Sequence, residues 1–103
     1  MKIIRDLSEA ISDEISDIRK YAKWAASLKD SHPALAQVLY NISVQEDGHQ
    51  AALHGEVVKL IEEHRRNHGE PPATMKAVYD YLHQKSIDDL ADARMYQEVY
   101  KKL

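Results

Sequence analysis

The stretch Val44-Gln45-Glu46-Asp47-Gly48-His49-Gln50 decides how the rest of the chain is read. Apolar residues lead into it at Leu35, Leu39 and Ile42, and continue beyond it at Leu53, Val57 and Leu60. With positions 46 and 49 inserted, the steps are 4, 3, 4, 3, 4, 4 and 3. That is the period of one helix face. Glu46 and His49 lie three residues apart and project from the same side. They therefore occupy the stripe predicted to be buried, where Leu or Ile is the ordinary occupant. An unpaired charge there costs several kcal/mol. Glu-x-x-His on the inner face of a helical bundle relieves that cost by binding metal.

The first helix carries a matching substitution. It is predicted from about 3 to 28, with apolar positions Ile4, Leu7, Ile11, Ile18, Tyr21, Ala25 and Leu28. The one long step, from Ile11 to Ile18, skips position 14, which is Glu14. Glu14, Glu46 and His49 are the expected metal ligands. Asp17, one turn after Glu14, is a secondary candidate. Asp13 fits a solvated flank.

Composition limits what such a site can be. A chain of 103 residues makes one domain with a modest core. A lone hairpin leaves an apolar face uncovered, so self-association is expected. The net charge of −3 and well-mixed charges argue against nucleic acid or an acidic membrane as partner. The absence of cysteine removes disulfides, thiolate metal sites and iron–sulfur chemistry, and suits a cytoplasmic setting. The N-terminus lacks the apolar run of a signal peptide. No stretch has the length of a membrane-spanning helix. With no Phe and few Gly or Pro, strands have little support.

Lys29-Asp30-Ser31-His32-Pro33 breaks the first helix from the second. Pro33 suits a first helical turn, where its missing N–H does no harm. So short a loop makes the two helices antiparallel neighbours. The second helix is predicted to run to about 67. It ends on basic residues and Gly69. Gly48 inside it either permits a close approach or is merely tolerated. His64 and His68 have metal-ligand spacing, but positive charge suits a helix end. His54 is expected to be exposed, and His32 and His83 to flank helix ends.

After Glu70-Pro71-Pro72, a helical segment is predicted from about 73 to 84. Ser86-Ile87-Asp88-Asp89 then resembles a restart, with Ser86 as N-cap. Residues 1–69 form the hairpin and 70–103 a C-terminal helical segment of the same domain. Residues 12–21 also echo 87–96, which sets Asp89 opposite Glu14. Chance similarity between amphipathic helices explains the echo equally well. On the echo, Asp89 is an alternative ligand and the fourth helix comes from a partner.

Glu14, Tyr21 seven residues on, and Glu46-x-x-His49 resemble the first helical hairpin of ferritin-like proteins, especially rubrerythrins and encapsulated ferritins. His32-Pro33-Ala34-Leu35-Ala36 and Ala52-Leu53-His54 add to the likeness, which covers about 3 to 65. The resemblance implies an all-α four-helix bundle holding two irons. Such a centre takes a Glu from each of two helices and Glu-x-x-His from each of the other two. One chain supplies half of that set. A homodimer, or a larger even-numbered assembly, supplies all of it and holds two irons per dimer. Manganese or zinc suits the same donors. With Fe(II) and oxygen the site is a candidate ferroxidase, and Tyr21 a candidate to hydrogen-bond a ligand or carry an electron.

Three features depart from that family: no cysteine for a rubredoxin-type centre, no encapsulin-type tail, and no second Glu-x-x-His helix. The alternative is a metal-free helical interaction module, with Glu14, Glu46 and His49 as a buried polar network that fixes register.

Overall fold

Three helices account for nearly all of the computed structural model, which describes residues 2–103. They are α1 (Lys2–Leu28), α2 (Pro33–His68) and α3 (Ala73–Lys102). The α2 helix has 36 residues, about 54 Å at 1.5 Å per residue. It sets the 55 Å length of a rod only 18 Å across.

The helix ends follow their local chemistry. Ser31 and His32 contact each other through Oγ and Nδ1 at 2.9 Å, and Pro33 opens α2. At the far end Gly69 adopts φ +77°, a left-handed conformation that costs a glycine little. Its N–H donates to the Arg65 carbonyl at 2.9 Å.

The C-terminal segment differs from its sequence reading. Ser86 caps nothing, because α3 runs unbroken through it. Two side-chain bridges span the expected restart: Gln84 Nε2 donates to Asp88, and Lys85 Nζ to Asp89. Both have i,i+4 spacing, the separation at which a continuous helix stacks side chains. Acids that suit a first turn here serve as partners for residues one turn earlier.

The α1 helix packs closely along both of the others, while α2 and α3 meet through their side chains rather than by close backbone approach. Its buried line is Ile4, Ile11, Ile15, Ile18, Ala22 and Ala25. Ile11, Ile15 and Ile18 pack with Ala93 of α3, flanked by Leu53, Val57 and Leu90. Nearer the α1–α2 turn, Ala25, Ala36, Leu39 and Tyr100 form a second cluster. Tyr100 there stacks on Tyr40 with ring centroids 4.6 Å apart.

The stripes read from sequence are thus rotated slightly from the real core. On α2 the buried residues are Ala36, Leu39, Ser43 and Gln50. On α1, Leu7, Glu14, Tyr21 and Leu28 are half-buried. Small residues (Ala22, Ala25, Ala36, Ser43 and Ala93) sit beside the buried isoleucines where the three helices meet, and several bulky residues stay partly exposed. Leu35, Val38, Ile42, Glu46, His49 and Leu53 share one side of α2 by their spacing. Ile3, Leu7, Glu14, Tyr21, Trp24 and Leu28 share the corresponding side of α1. Ile3, Trp24, Leu35 and Val38 on this side are each about half exposed. Gly48 is not needed for a close approach within the chain, since a Cβ there meets nothing within 4 Å.

Candidate metal centre

Glu14 comes from the middle of α1, and Glu46 and His49 from successive turns of α2. One ligand atom from each lies within 4.8 Å of the others, and among the described residues this is the one such group of three. His49 Nδ1 is 3.5 Å from Glu14 Oε2 and 3.9 Å from Glu46 Oε1. The side chains of Glu14 and Glu46 are 26% and 20% exposed, and that of His49 is 59% exposed. The carboxylates therefore stand at the edge of the core rather than within it. His49, expected in the buried stripe, lies on the open side.

The electrostatics are those of crowded acids. The Glu14 carboxyl held against Glu46 raises the Glu46 pKa above its ordinary value. Burial and the Glu14 charge push the same way, and only His49 opposes them. Glu14 Oε2 is buried and has no hydrogen-bond partner. A buried acceptor so placed lacks the partner that its burial calls for, and a cation is one way to supply it.

Asp47, next to Glu46, behaves in the opposite sense. Both its oxygens accept from Arg94 of α3, at 2.8 and 2.9 Å, and Gln50 Nε2 donates to it at 2.9 Å. Arg94 holds the Asp47 pKa below the usual value. One turn away Gln97 Nε2 donates to the fully buried Ser43 Oγ. These bonds tie α2 to α3 and fix the rotation of α2 that turns Glu46 and His49 toward Glu14. Arg19 of α1 makes a parallel tie, donating to Asp92 at 2.9 Å. The sequence reading passed over Arg94. Its only signal was an acid in the central stretch, Asp47, that no metal role explained.

The remaining candidates lie apart. Asp17 is half-buried one turn along α1 and is not drawn into the group of three. Asp89 is also outside it, with its carboxylate on Lys85. Tyr21 packs against the cluster of Ala25, Ala36, Leu39 and Tyr100, with Lys20 Nζ 4.9 Å from its ring centre. His64 and His68 lie with ring centroids 4.9 Å apart near the end of α2. Two histidines depart from expectation. His54 is half-buried rather than exposed, and His83 lies within α3 rather than at its end.

An antiparallel hairpin with an inward Glu on one helix and Glu-x-x-His on the next defines the ferritin-like class of helical carboxylate proteins. The family model described as Rubrerythrin matches residues 6–103, so all of α3 is included. The chain belongs to the rubrerythrin family. No curated protein and no solved structure gives a match. Among the described residues no helix is long and apolar enough to cross a membrane.

Proposed function

We propose that this chain is a subunit of a di-iron carboxylate protein, with Glu14, Glu46 and His49 as its iron ligands. The observation that carries this reading is the orphaned, buried Glu14 Oε2 beside a second carboxylate and an imidazole. Two carboxylates and a nitrogen make a donor set suited to iron and acceptable to manganese or zinc. Bound iron supplies one-electron redox chemistry toward oxygen. The side chains set the stage for it: Glu14 and Glu46 supply negative charge, His49 a neutral nitrogen donor, and the Arg94–Asp47 pair holds α2 in register.

Three ligands are half of a di-iron set. A second copy, docked by its own open α1–α2 face, completes the set and covers His49. The apolar residues flanking the site on that face support such a homodimer. Each chain then holds about one ion, two per dimer. A ferroxidase, taking Fe(II) as substrate and oxygen as oxidant, is the activity that fits. Cytoplasmic residence agrees with the cysteine-free sequence.

A second reading has its own support. A protonated His49, 3.5 Å from Glu14 and 3.9 Å from Glu46, neutralises part of the acid cluster without metal. The protein is then a helical interaction module.

Substituting Glu14→Leu separates the two. It removes one crowded charge and adds apolar burial, worth up to about 1.5–3 kcal/mol. If Glu14 is a ligand, the metal-free variant melts at or above the metal-free wild type. Anaerobic Fe(II) then raises the melting point of the wild type alone. In air, Fe(II) added to the wild type gives the near-ultraviolet absorption of ferric iron and consumes oxygen. A strongly destabilised metal-free variant, beside a wild type indifferent to iron, rejects the metal reading.

A further inference from the structure

His54 of α2 and His83 of α3 meet ring to ring, with centroids 5.3 Å apart and planes 20° from parallel. His54 is half-buried and His83 is exposed. Planes so nearly parallel keep the in-plane nitrogens of the two rings from pointing at each other. The contact is therefore one of ring faces, with no hydrogen bond shared between them. It lies in the weakly anchored part of α3. Ala93, Gln97 and Tyr100 are buried farther along, but no residue from 73 to 92 is. Both rings border a cavity of about 260 Å³, with Ile4, Ile11 and Val57 among its apolar residues.

Histidine is the side chain whose charge ordinarily changes between about pH 5 and 8. With one ring charged, or neither, the faces can stay together. With both charged, two like charges stand 5.3 Å apart. The charges around the pair do not offset a second proton. Glu62 of α2 and Asp80 of α3 line the cavity, but so do Arg65 of α2 and Lys76 of α3. Tyr79 adds a phenol, and α1 contributes only Ile4, Ser8 and Ile11. Elsewhere on the two helices, Lys59–Glu56, Lys85–Asp89 and Arg94–Asp47 are paired among themselves. His64 lies beside His68. Lifting the start of α3 gives both rings to water, where their repulsion is screened. The lifted form therefore accepts the second proton more readily than the closed one. The closed form is favoured at neutral pH and above, and loses ground as pH falls.

We propose that His54 and His83 form an acid-released latch. At neutral pH the stacked rings hold the first half of α3 to α2. Below about pH 6 the doubly charged pair parts, and that half lifts from Ile4 while the last third of α3 stays docked.

The chain has no cysteine, so a single introduced thiol reports the release. Ile4 is 2% exposed and borders the cavities at the start of α3, while its neighbour Ile3 is 52% exposed. The labelling rate of Ile4→Cys with dithiodipyridine, in chelator, is divided by that of Ile3→Cys at the same pH. The ratio cancels the pH dependence of thiol reactivity itself. Between about pH 7.5 and about pH 5.5 it should rise about fivefold or more, the factor expected for two charges at this distance. Ala93→Cys should stay protected throughout. Adding His83→Phe to Ile4→Cys keeps a ring against His54 without a charge, and should leave the ratio flat. His54→Phe should do the same, whereas His64→Ala with His68→Ala should leave the rise intact. A ratio unmoved by pH in the wild-type background overturns the proposal. So does a rise that persists in both His83→Phe and His54→Phe, or one matched by Ala93→Cys, which is acid unfolding of the whole chain.

Discussion

Glu46 and Asp47 are neighbours whose carboxyl groups are pushed in opposite directions. Arg94 holds Asp47 down, so its contribution to stability is present above its ordinary value of 3.8 and lost as pH falls through the depressed one. Glu46 is raised above its ordinary value of 4.5 by Glu14 and by burial, so the folded chain binds that proton more tightly than the unfolded one. Without metal, Glu46 therefore costs stability as pH rises above that ordinary value. Changing Glu46→Gln removes the cost. Denaturant melts in chelator, from about pH 4 to pH 7, should show the variant gaining on the wild type as pH rises. A difference that stays flat would mean that Glu46 is relieved by some other partner. That Glu14 and Glu46 replace apolar residues was legible from the 3–4 spacing alone. Their half-burial was not, because spacing gives a residue's side of the helix but not how far the neighbouring helix covers it.

At the scale of the elements, helix bounds were legible almost to the residue. Pro33 and Gly69 each have one conformational use, and the structure puts them to it. Two things were hidden. Ser86 with two following acids fits a capped start as well as it fits an i,i+4 ladder, and Gln84 and Lys85 decide for the ladder. The rotation of α2 was hidden as well, because Ala36 is buried beside Ala25 of α1 and Ser43 beneath Gln97 of α3, more deeply than their hydropathy suggests. Arg94 is one of the side chains that hold this rotation. Replacing it by Ala leaves the Asp47 carboxylate, 19% exposed, without its main partner. That should cost roughly 1–3 kcal/mol in chemical denaturation. Arg94→Lys should recover only part, since an ammonium does not span both oxygens as a guanidinium does. If Glu14, Glu46 and His49 hold iron as proposed, the same variants should weaken its binding although Arg94 touches none of the three. Unchanged iron affinity in Arg94→Ala would show that α2 keeps its orientation without Arg94.

The whole molecule is a rod with unlike sides. The radius of gyration is 16.5 Å, against about 13 Å for a compact chain of this size. On one side α3 closes the seam. On the other the α1–α2 face carries Trp24, Leu35 and Val38 into solvent between the acid group and the α1–α2 turn. If a second copy covers that face, light scattering after size exclusion should give an even-numbered oligomer. Val38→Lys with Trp24→Asp should split it into monomers that remain helical by circular dichroism and hold iron far more weakly. A wild-type monomer that binds iron tightly would remove the shared centre. The expectation of a partner came from counting Glu14, Glu46 and His49 as half of a ligand set, whereas the open face emerged only once α3 was seen to pack on α1 away from it.

The uneven anchoring of α3 has a consequence for how the native state breathes. Its buried residues are Ala93, Gln97 and Tyr100, all in its last third, while the turns from Ala73 onward rest on partial contacts. Backbone amides exchange with solvent through the least costly local opening that exposes them. Deuterium uptake should therefore be fast near Ala73, slow progressively along the helix, and become slowest between Ala93 and Tyr100. Uniform protection along α3 would mean that it detaches as one unit. A graded profile would make its first half a flap that opens while the α1–α2 hairpin stays folded.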